Sequence, residues 1–343
     1  MTTETDRSAG LLDGVRAIAR EVAAVHADDV DRNARFPSES IQALREEGAL
    51  SAFVPTELGG GGIPLDVVAS CCRELGRSCG ASAMVFAMHQ SNVVTLVRHL
   101  EPGSWFEQYL GELASQQRLI AGVTSEVGTG GDLGRSVAAL APGQGDTLSF
   151  EKQAPTVSYG AYADDLLITL RRSPDAAPSD QVVALAARSE TTMTPTGSWD
   201  VLGMRGTCSP GYVIGAEIPS RQVLPVPFAE VGAQSMVPAS HILWSHLWLG
   251  IAEDAFERAR SFVRAAAKRS PGELPPAAVR LSHVSSELAM LRALVELALR
   301  DYLEVADGPP REELMTVAST LRYNNLKVAA SEHAVQVCRG PWT

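Results

Sequence analysis

The chain has 343 residues, 45% of them hydrophobic and 20% charged, and a net charge of −11 at pH 7. That length exceeds one small core and predicts two or three domains of ordinary globular composition. The acidic balance, with no basic stripe to offset it, argues against a nucleic-acid partner.

Further exclusions come from single residues. Cys71, Cys72, Cys79, Cys208 and Cys338 are scattered without a CxxC pair, which speaks against a disulfide frame and against a metal site. Met1–Gly10 is polar and acidic, so it is no signal peptide. No uncharged apolar run is long enough to span a bilayer. A cytoplasmic protein without membrane or metal is expected.

From Leu11 to Gln117 the chain reads as helices. Leu11, Val15, Ile18, Val22 and Val25 recur at helical spacing and predict one buried face. Pro37 opens the next helix, Ile41 and Leu44 form its apolar stripe, and Gly48 stops it. A loop with four consecutive glycines, Gly59 to Gly62, precedes helical segments at Leu65–Ser78 and Ala81–Leu100. The second is nearly apolar along one half, at Met84, Val85, Phe86 and Met88, which predicts a buried helix. His89 and Gln90 within it read first as satisfied core groups and second as pocket lining.

The character changes at Leu119. Leu119–Leu133 begins as a short apolar strand and breaks into a loop with Gly128, Gly130 and Gly131. Glycines permit positive φ and remove side chains, so a ligand can approach the backbone. The exposed N–H groups of such a loop form a nest for anionic oxygens or electron-rich ring atoms. Short β-rich segments follow at Thr147–Glu151, Asp165–Leu170, Gln181–Ala187 and Tyr212–Ile218, with turn clusters at Gly143–Asp146 and Pro174–Ser179. This spacing predicts a small antiparallel barrel or sandwich.

Helices return at Val237–Ala267, Pro276–Ala306 and Arg311–Cys338, separated by Ser270-Pro-Gly and Gly308-Pro-Pro310. Long helices with short Pro/Gly connections predict an antiparallel bundle, into which Leu314, Val317, Leu321 and Val328 are expected to pack. The chain is therefore expected to be a multidomain α+β protein: a helical domain over 1–118, a β domain over 119–228 and a helical bundle over 229–343.

Three motifs sit in this frame. Phe36-Pro37 with Leu44 through Gly48 leads to Val54-Pro-Thr-Glu-Leu-Gly-Gly60. Ser125-Glu-Val-Gly-Thr-Gly-Gly-Asp132 forms the second, and Trp199-Asp-Val-Leu-Gly-Met-Arg-Gly-Thr-Cys-Ser209 the third. In these motifs, their order and their spacing, the chain resembles the acyl-CoA dehydrogenase family from about residue 11 to residue 340.

The resemblance implies FAD on the β domain. Thr124, Ser125, Gly130 and Gly131 would contact the flavin and its phosphates, and Thr156 or Ser158 would meet the flavin N5 edge. Two positions depart from the family pattern: its covering tryptophan falls on Ala154 and its loop serine on Gly131. The family's Arg-x-x-Phe-Gly, which holds the adenine end of a neighbour's FAD, falls on Lys268–Glu273 and leaves Arg269 and Gly272. Its later Gln-x-x-Gly-Gly falls on Gln336–Gly340 and leaves Gln336 and Gly340. All four read equally well as solvated helix ends.

The resemblance also implies dehydrogenation, in which a glutamate removes the α-proton of an acyl thioester while hydride leaves the β-carbon for the flavin. A carboxylate suits this step because desolvation raises its pKa. One family position for that base lies beyond Thr343, and the other falls on Ser240. No base is visible, and His241, which could titrate near neutrality, is the one candidate, set against a capping or packing role. Trp244 and Trp248, one turn apart, read as core aromatics. The expected protein is an FAD-dependent dehydrogenase of acyl-CoA or acyl-carrier thioesters that passes electrons to an electron-transfer acceptor. It is expected to form a homo- or hetero-oligomer, with a bundle lacking its last segment. The alternatives are a flavin-dependent monooxygenase on the same fold, which needs no glutamate base, and a non-catalytic paralogue supporting an active subunit.

Overall fold

The computed structural model describes residues 3–269, 275–306, 308 and 311–340. Helix α1 (Glu4–Ile18) starts on a capping box: the Thr3 hydroxyl accepts from the Asp6 N–H, and the Asp6 carboxylate accepts from the Thr3 N–H. A π-helical turn, Ala19–Ala23, joins it to α2 (Ala24–Arg32). Such a turn adds one residue to the ladder and rotates everything after it by about 100°. Leu11, Val15 and Ile18 are therefore buried as expected, whereas Ala19, Ala23 and Val30 take the inward positions next and Val25 is 68% exposed.

Helix α3 (Ser38–Glu46) follows Pro37, buries Ile41 and Leu44, and stops before Gly48, which has φ +76°. Helices α4 (Leu65–Gly76), α5 (Gly80–Arg98) and α6 (Trp105–Gln116) complete the block. The last was not singled out from the sequence, although Phe106, Tyr109, Leu110 and Leu113 carry the helical spacing. Helix α5 is buried on nearly every side, and His89 ties it to two neighbours. Its Nε2–H donates to the Leu50 carbonyl at 2.7 Å, and Nδ1 accepts from the Ile120 N–H at 3.0 Å. Burial pushes its pKa down to about 4, so the ring stays neutral. Gln90 donates to the Ala49 carbonyl at 2.9 Å. Both are core groups; His89 is fully satisfied as first read, whereas Gln90 Oε1 is buried without a partner among the described residues.

The middle of the chain forms two sheets rather than a closed barrel. Strands β1 (Ile120–Val123), β2 (Ala141–Pro142), β3 (Thr147–Ala154), β4 (Asp165–Arg171), β5 (Gln181–Ala187), β6 (Thr191–Pro195) and β7 (Tyr212–Pro219) order as β1-β4-β5 and β2-β3-β7-β6. β1 runs parallel to β4, with Ile120 opposite Asp165, so the first sheet is mixed and the expectation of a purely antiparallel domain is corrected. β1 enters from a helix and reaches β4 only after the chain has built β2 and β3, and such a crossover is what parallel pairing requires. Phe150 and Ile214 of one sheet share a core with Ile168 and Ala184 of the other.

Alternation along β3 turns Phe150, Lys152 and Ala154 inward. Lys152 is thereby buried between the sheets, where its Nζ donates to the Thr169 carbonyl at 2.6 Å and lies 3.4 Å from Glu126 Oε2. Glu126 in turn accepts from the Ser136 hydroxyl at 2.6 Å and from the Val137 and Ala138 N–H groups. Burial lowers the Lys152 pKa to about 8, against the pull of Glu126.

A short helix, α7 (Phe228–Val231), passes through a second π turn, Gly232–Met236, into the long α8 (Val237–Arg269). Helices α9 (Ala277–Ala306) and α10 (Val317–Arg339) pack along it. A Cβ at Gly76 or Gly250 would run into the facing helix's backbone, so these glycines set how closely α4 and α8 approach. Glu253 on α8 is 3% exposed and takes Arg73 (Nε, 2.8 Å), Arg77 (3.2 Å) and Arg292 (2.6 Å) from α4 and α9. Of the four residues expected to pack in the bundle, only Leu314 is buried. Val317, Leu321 and Val328 are 75%, 53% and 51% exposed, and α10 instead buries Tyr323, Leu326, Ala330, Ala334 and Val337. The heptad spacing is present, but it marks the outward face.

The Lys152–Glu126 pair yields a stability prediction. Lys152→Met keeps an apolar stem in place and leaves a buried carboxylate without its cation, which costs about 3–5 kcal/mol. The urea midpoint should fall accordingly, and adding Glu126→Gln should recover part of the loss. An unchanged midpoint in the single variant would refute the assignment.

Candidate active site

The glycine-rich loop leaves β1 at Val123 and turns through Gly128, Gly130 and Gly131 at φ +94°, +63° and +86°. A Cβ at Gly130 or Gly131 would meet only open space, so backbone conformation and not crowding demands glycine there. Val127 N–H donates to the Gln153 carbonyl at 2.9 Å, and the Ser125 hydroxyl donates to the Thr156 carbonyl at 2.6 Å. The two stretches expected to share a cofactor are therefore joined directly.

The third motif meets the same place. The Ser209 hydroxyl donates to Ser158 Oγ at 3.0 Å and lies 2.8 Å from Thr207 Oγ1. Thr207 and Ser209 were not singled out as site residues, although their motif was recognised; only the fold puts them beside Ser158. Thr156 is exposed, Ser158 is half-buried, and Ala154 is buried in the sandwich. The result is an open shelf of turned backbone and hydroxyls at Ser125 and Ser158, with Thr124 at its inner end. It fits a flavin, whose phosphate oxygens and ring heteroatoms seek donors such as the loop's N–H groups and the Ser158 hydroxyl, while Ser125 Oγ remains an acceptor.

Arg269, Gln336 and Gly340 do not gather at this shelf within one chain. Ser240 stands beside the shelf at the start of α8, and Arg269 lies 29 residues further along the same helix, which is about 40 Å. Gln336 is exposed near the end of α10. At Gly340 a Cβ would strike Val284, a packing reason for glycine. Gly272 lies outside the described residues.

Between α5, the end of β1 and the start of α8 is a cavity of about 110 Å³, walled by Met88, Asn92, Thr124, Val237, His241 and Trp244 among others. A larger one of about 310 Å³ shares Leu133 and Val237 with it and continues past Phe228 to Thr320 and Tyr323. Among the described residues, no carboxylate, lysine or arginine lines either. Trp244 and Trp248 pack against the core as expected, and Trp244 also forms part of the smaller cavity's wall.

Asn92 packs against Gly122, where a Cβ would be in tight contact with its amide, and donates to the Ile120 carbonyl at 3.2 Å. His241 is 6% exposed, with Nδ1 3.0 Å from the Tyr323 carbonyl. A carbonyl can only accept, so Nδ1 carries the proton and Nε2 presents its lone pair. Burial, aided by the charge of Lys327, pushes the His241 pKa down to about 4. The expectation of titration near neutrality is corrected: the ring is a neutral acceptor.

Residues 5–117 match the acyl-CoA dehydrogenase N-terminal domain family. Cyclohex-1-ene-1-carbonyl-CoA dehydrogenase of Syntrophus aciditrophicus is 24% identical over 87% of this chain and 73% of its own length. Amino sugar nitrososynthase DnmZ of Streptomyces peucetius is 28% identical over 81% and 69%. Among solved structures, FMN-bound TdsC of Paenibacillus sp. A11-2, a dibenzothiophene monooxygenase, superposes with a TM-score of 0.81 at 21% identity, over 95% of this chain and 85% of that one. The family motifs in order, the N-terminal domain match over residues 5–117 and these relatives support the acyl-CoA dehydrogenase family, and the relatives and structural neighbours are flavin-dependent oxidoreductases.

Proposed function

We propose that this protein is a flavin-dependent monooxygenase that uses FMN. The observation carrying this reading is the cavity wall: Ser240 and a neutral His241 stand where α-proton abstraction would need a carboxylate, and neither cavity offers one among the described residues. The adenine-end residues are reduced to scattered remnants, which favours FMN over the FAD expected from the family resemblance. Bound reduced flavin supplies the two electrons that split dioxygen, one oxygen atom entering the substrate and the other leaving as water. The chain's own contribution is placement. Ser125, Ser158 and the turned loop hold the ring edge, while Met88, Met236 and Val237 keep the substrate cavity dry. Acyl-thioester dehydrogenation is the second reading, supported by the 24% identical acyl-CoA dehydrogenase relative.

The acting form is a homo-oligomer. On α10, Leu321, Val328 and Val335 recur every seven residues yet are 53%, 51% and 47% exposed, and on α9 Met290 and Leu297 repeat the pattern at 50% and 46%. A heptad seam facing outward suits another helix.

Three measurements follow. Titrated with flavins, the protein should take FMN and develop the visible flavin spectrum, and Gly130→Val, which forces a branched residue to positive φ, should weaken binding about tenfold. A preparation left colourless by excess FMN and FAD would end the flavoprotein reading. Given reduced FMN and oxygen, the protein should oxygenate a substrate that fits the cavity, and straight-chain or branched acyl-CoAs should not bleach its oxidised flavin without oxygen. Rapid bleaching would hand the lead to dehydrogenation. By light scattering the wild type should be oligomeric and Leu321→Asp/Val328→Asp smaller; a wild-type monomer at micromolar concentration would refute the seam.

A further inference from the structure

The smaller cavity says what kind of molecule it admits. An apolar cavity of about 150 Å³ accommodates benzene, and the roughly 110 Å³ here is on the scale of one small ring. Its apolar walls, Met88, Met236, Val237 and Trp244, favour such a ring. With no cation on the lining among the described residues, an anion entering it would lose its hydration without compensation.

His241 Nε2, on this wall, has no protein partner among the described residues. His241 Nε2 presents a lone pair, because the proton is held on Nδ1 by the Tyr323 carbonyl. Trp244 packs beside it, with ring centroids 5.6 Å apart, its indole N–H enclosed and without a partner among the described residues. A hydroxyl, which can donate to the His241 lone pair without carrying a charge, is a small group that answers it.

We propose that this cavity receives the reacting end of the substrate as an uncharged, phenol-like ring, with the ring hydroxyl donating to His241 Nε2. His241 is then a specificity-determining residue. The proposal rests on the monooxygenase reading for what happens to the ring afterwards, but recognition can be measured without turnover.

Calorimetry on the FMN-loaded full chain with phenol, toluene and benzoate tests it. One net hydrogen bond predicts phenol binding about tenfold tighter than toluene, with benzoate undetected. Bound phenol should also shift the His241 Nε2 signal in nitrogen NMR. His241→Asn places an amide N–H where Nδ1 was, so it keeps the bond to Tyr323 while removing the Nε2 acceptor. It should bind toluene as the wild type does and lose the preference for phenol; His241→Phe serves as a second variant if its melting curve is unchanged. Equal binding of toluene and phenol, a preference that survives His241→Asn, or no binding of either ring would overturn the proposal. Selective phenol binding without oxygen consumption by reduced FMN would leave the recognition standing and refute the monooxygenase. Oxygenation of a ring without His241-dependent selectivity would do the reverse.

Discussion

A buried charge pair between two sheets sets the position of Glu126, the anchor of the glycine-rich loop, and much else follows from it. Lys152 points inward because strand alternation leaves it no other direction, and its ammonium must find oxygens there. It finds the Thr169 carbonyl on the other sheet and Glu126 at the root of the glycine-rich loop. The carboxylate's remaining lone pairs are taken by Ser136, Val137 and Ala138, so the excursion from residue 126 to 138 is closed on itself by one side chain. Well-packed apolar residues often serve stability as well as a buried ion pair does. What apolar residues could not do here is gather a hydroxyl and two N–H groups from the far end of a loop whose glycines have no side chains to anchor it.

The two π turns act on position in a similar way. The first, Ala19–Ala23, re-aims the N-terminal helix. The second, Gly232–Met236, sits where α8 begins and contributes Gly232 and Ala233 to the larger cavity and Met236 to the smaller. A π turn is a local departure from the helical ladder that recurs at functional sites, and this one lies directly against the space where substrate is proposed to sit.

Much of the fold was legible in the sequence because its signals are local. Gln181–Ala187 emerges with the same bounds, and the helices around Pro37 and Gly48 start and stop where the backbone demands. The glycine-rich motif and the stretch at Thr156–Ser158 were both named, and the structure joins them through Ser125. What escaped is non-local or phase-dependent. Parallel pairing of β1 with β4 depends on a crossover, and Val25 was misplaced because a π turn leaves no mark in hydrophobic spacing. Leu321 and Val328 carry a real heptad signal, but spacing cannot say which of two possible partners, the chain's own bundle or another helix, the seam faces. The tautomer of His241 depends on a carbonyl 82 residues away.

That last dependence links bundle packing to cavity chemistry. The Tyr323 carbonyl belongs to α10, and its bond to Nδ1 decides which nitrogen of His241 faces the cavity with a lone pair. Tyr323 is itself buried and packs edge-on against Tyr302 of α9 at 5.8 Å, so the carbonyl is held by a three-helix contact rather than by a loop. Far along the same α8, Glu253 is gripped by arginines from α4 and α9, which fixes the helix against sliding. Helix α8 is thus constrained at its middle by charge and near its start by one hydrogen bond. The lone pair at His241 Nε2 is consequently a property of how the whole bundle docks.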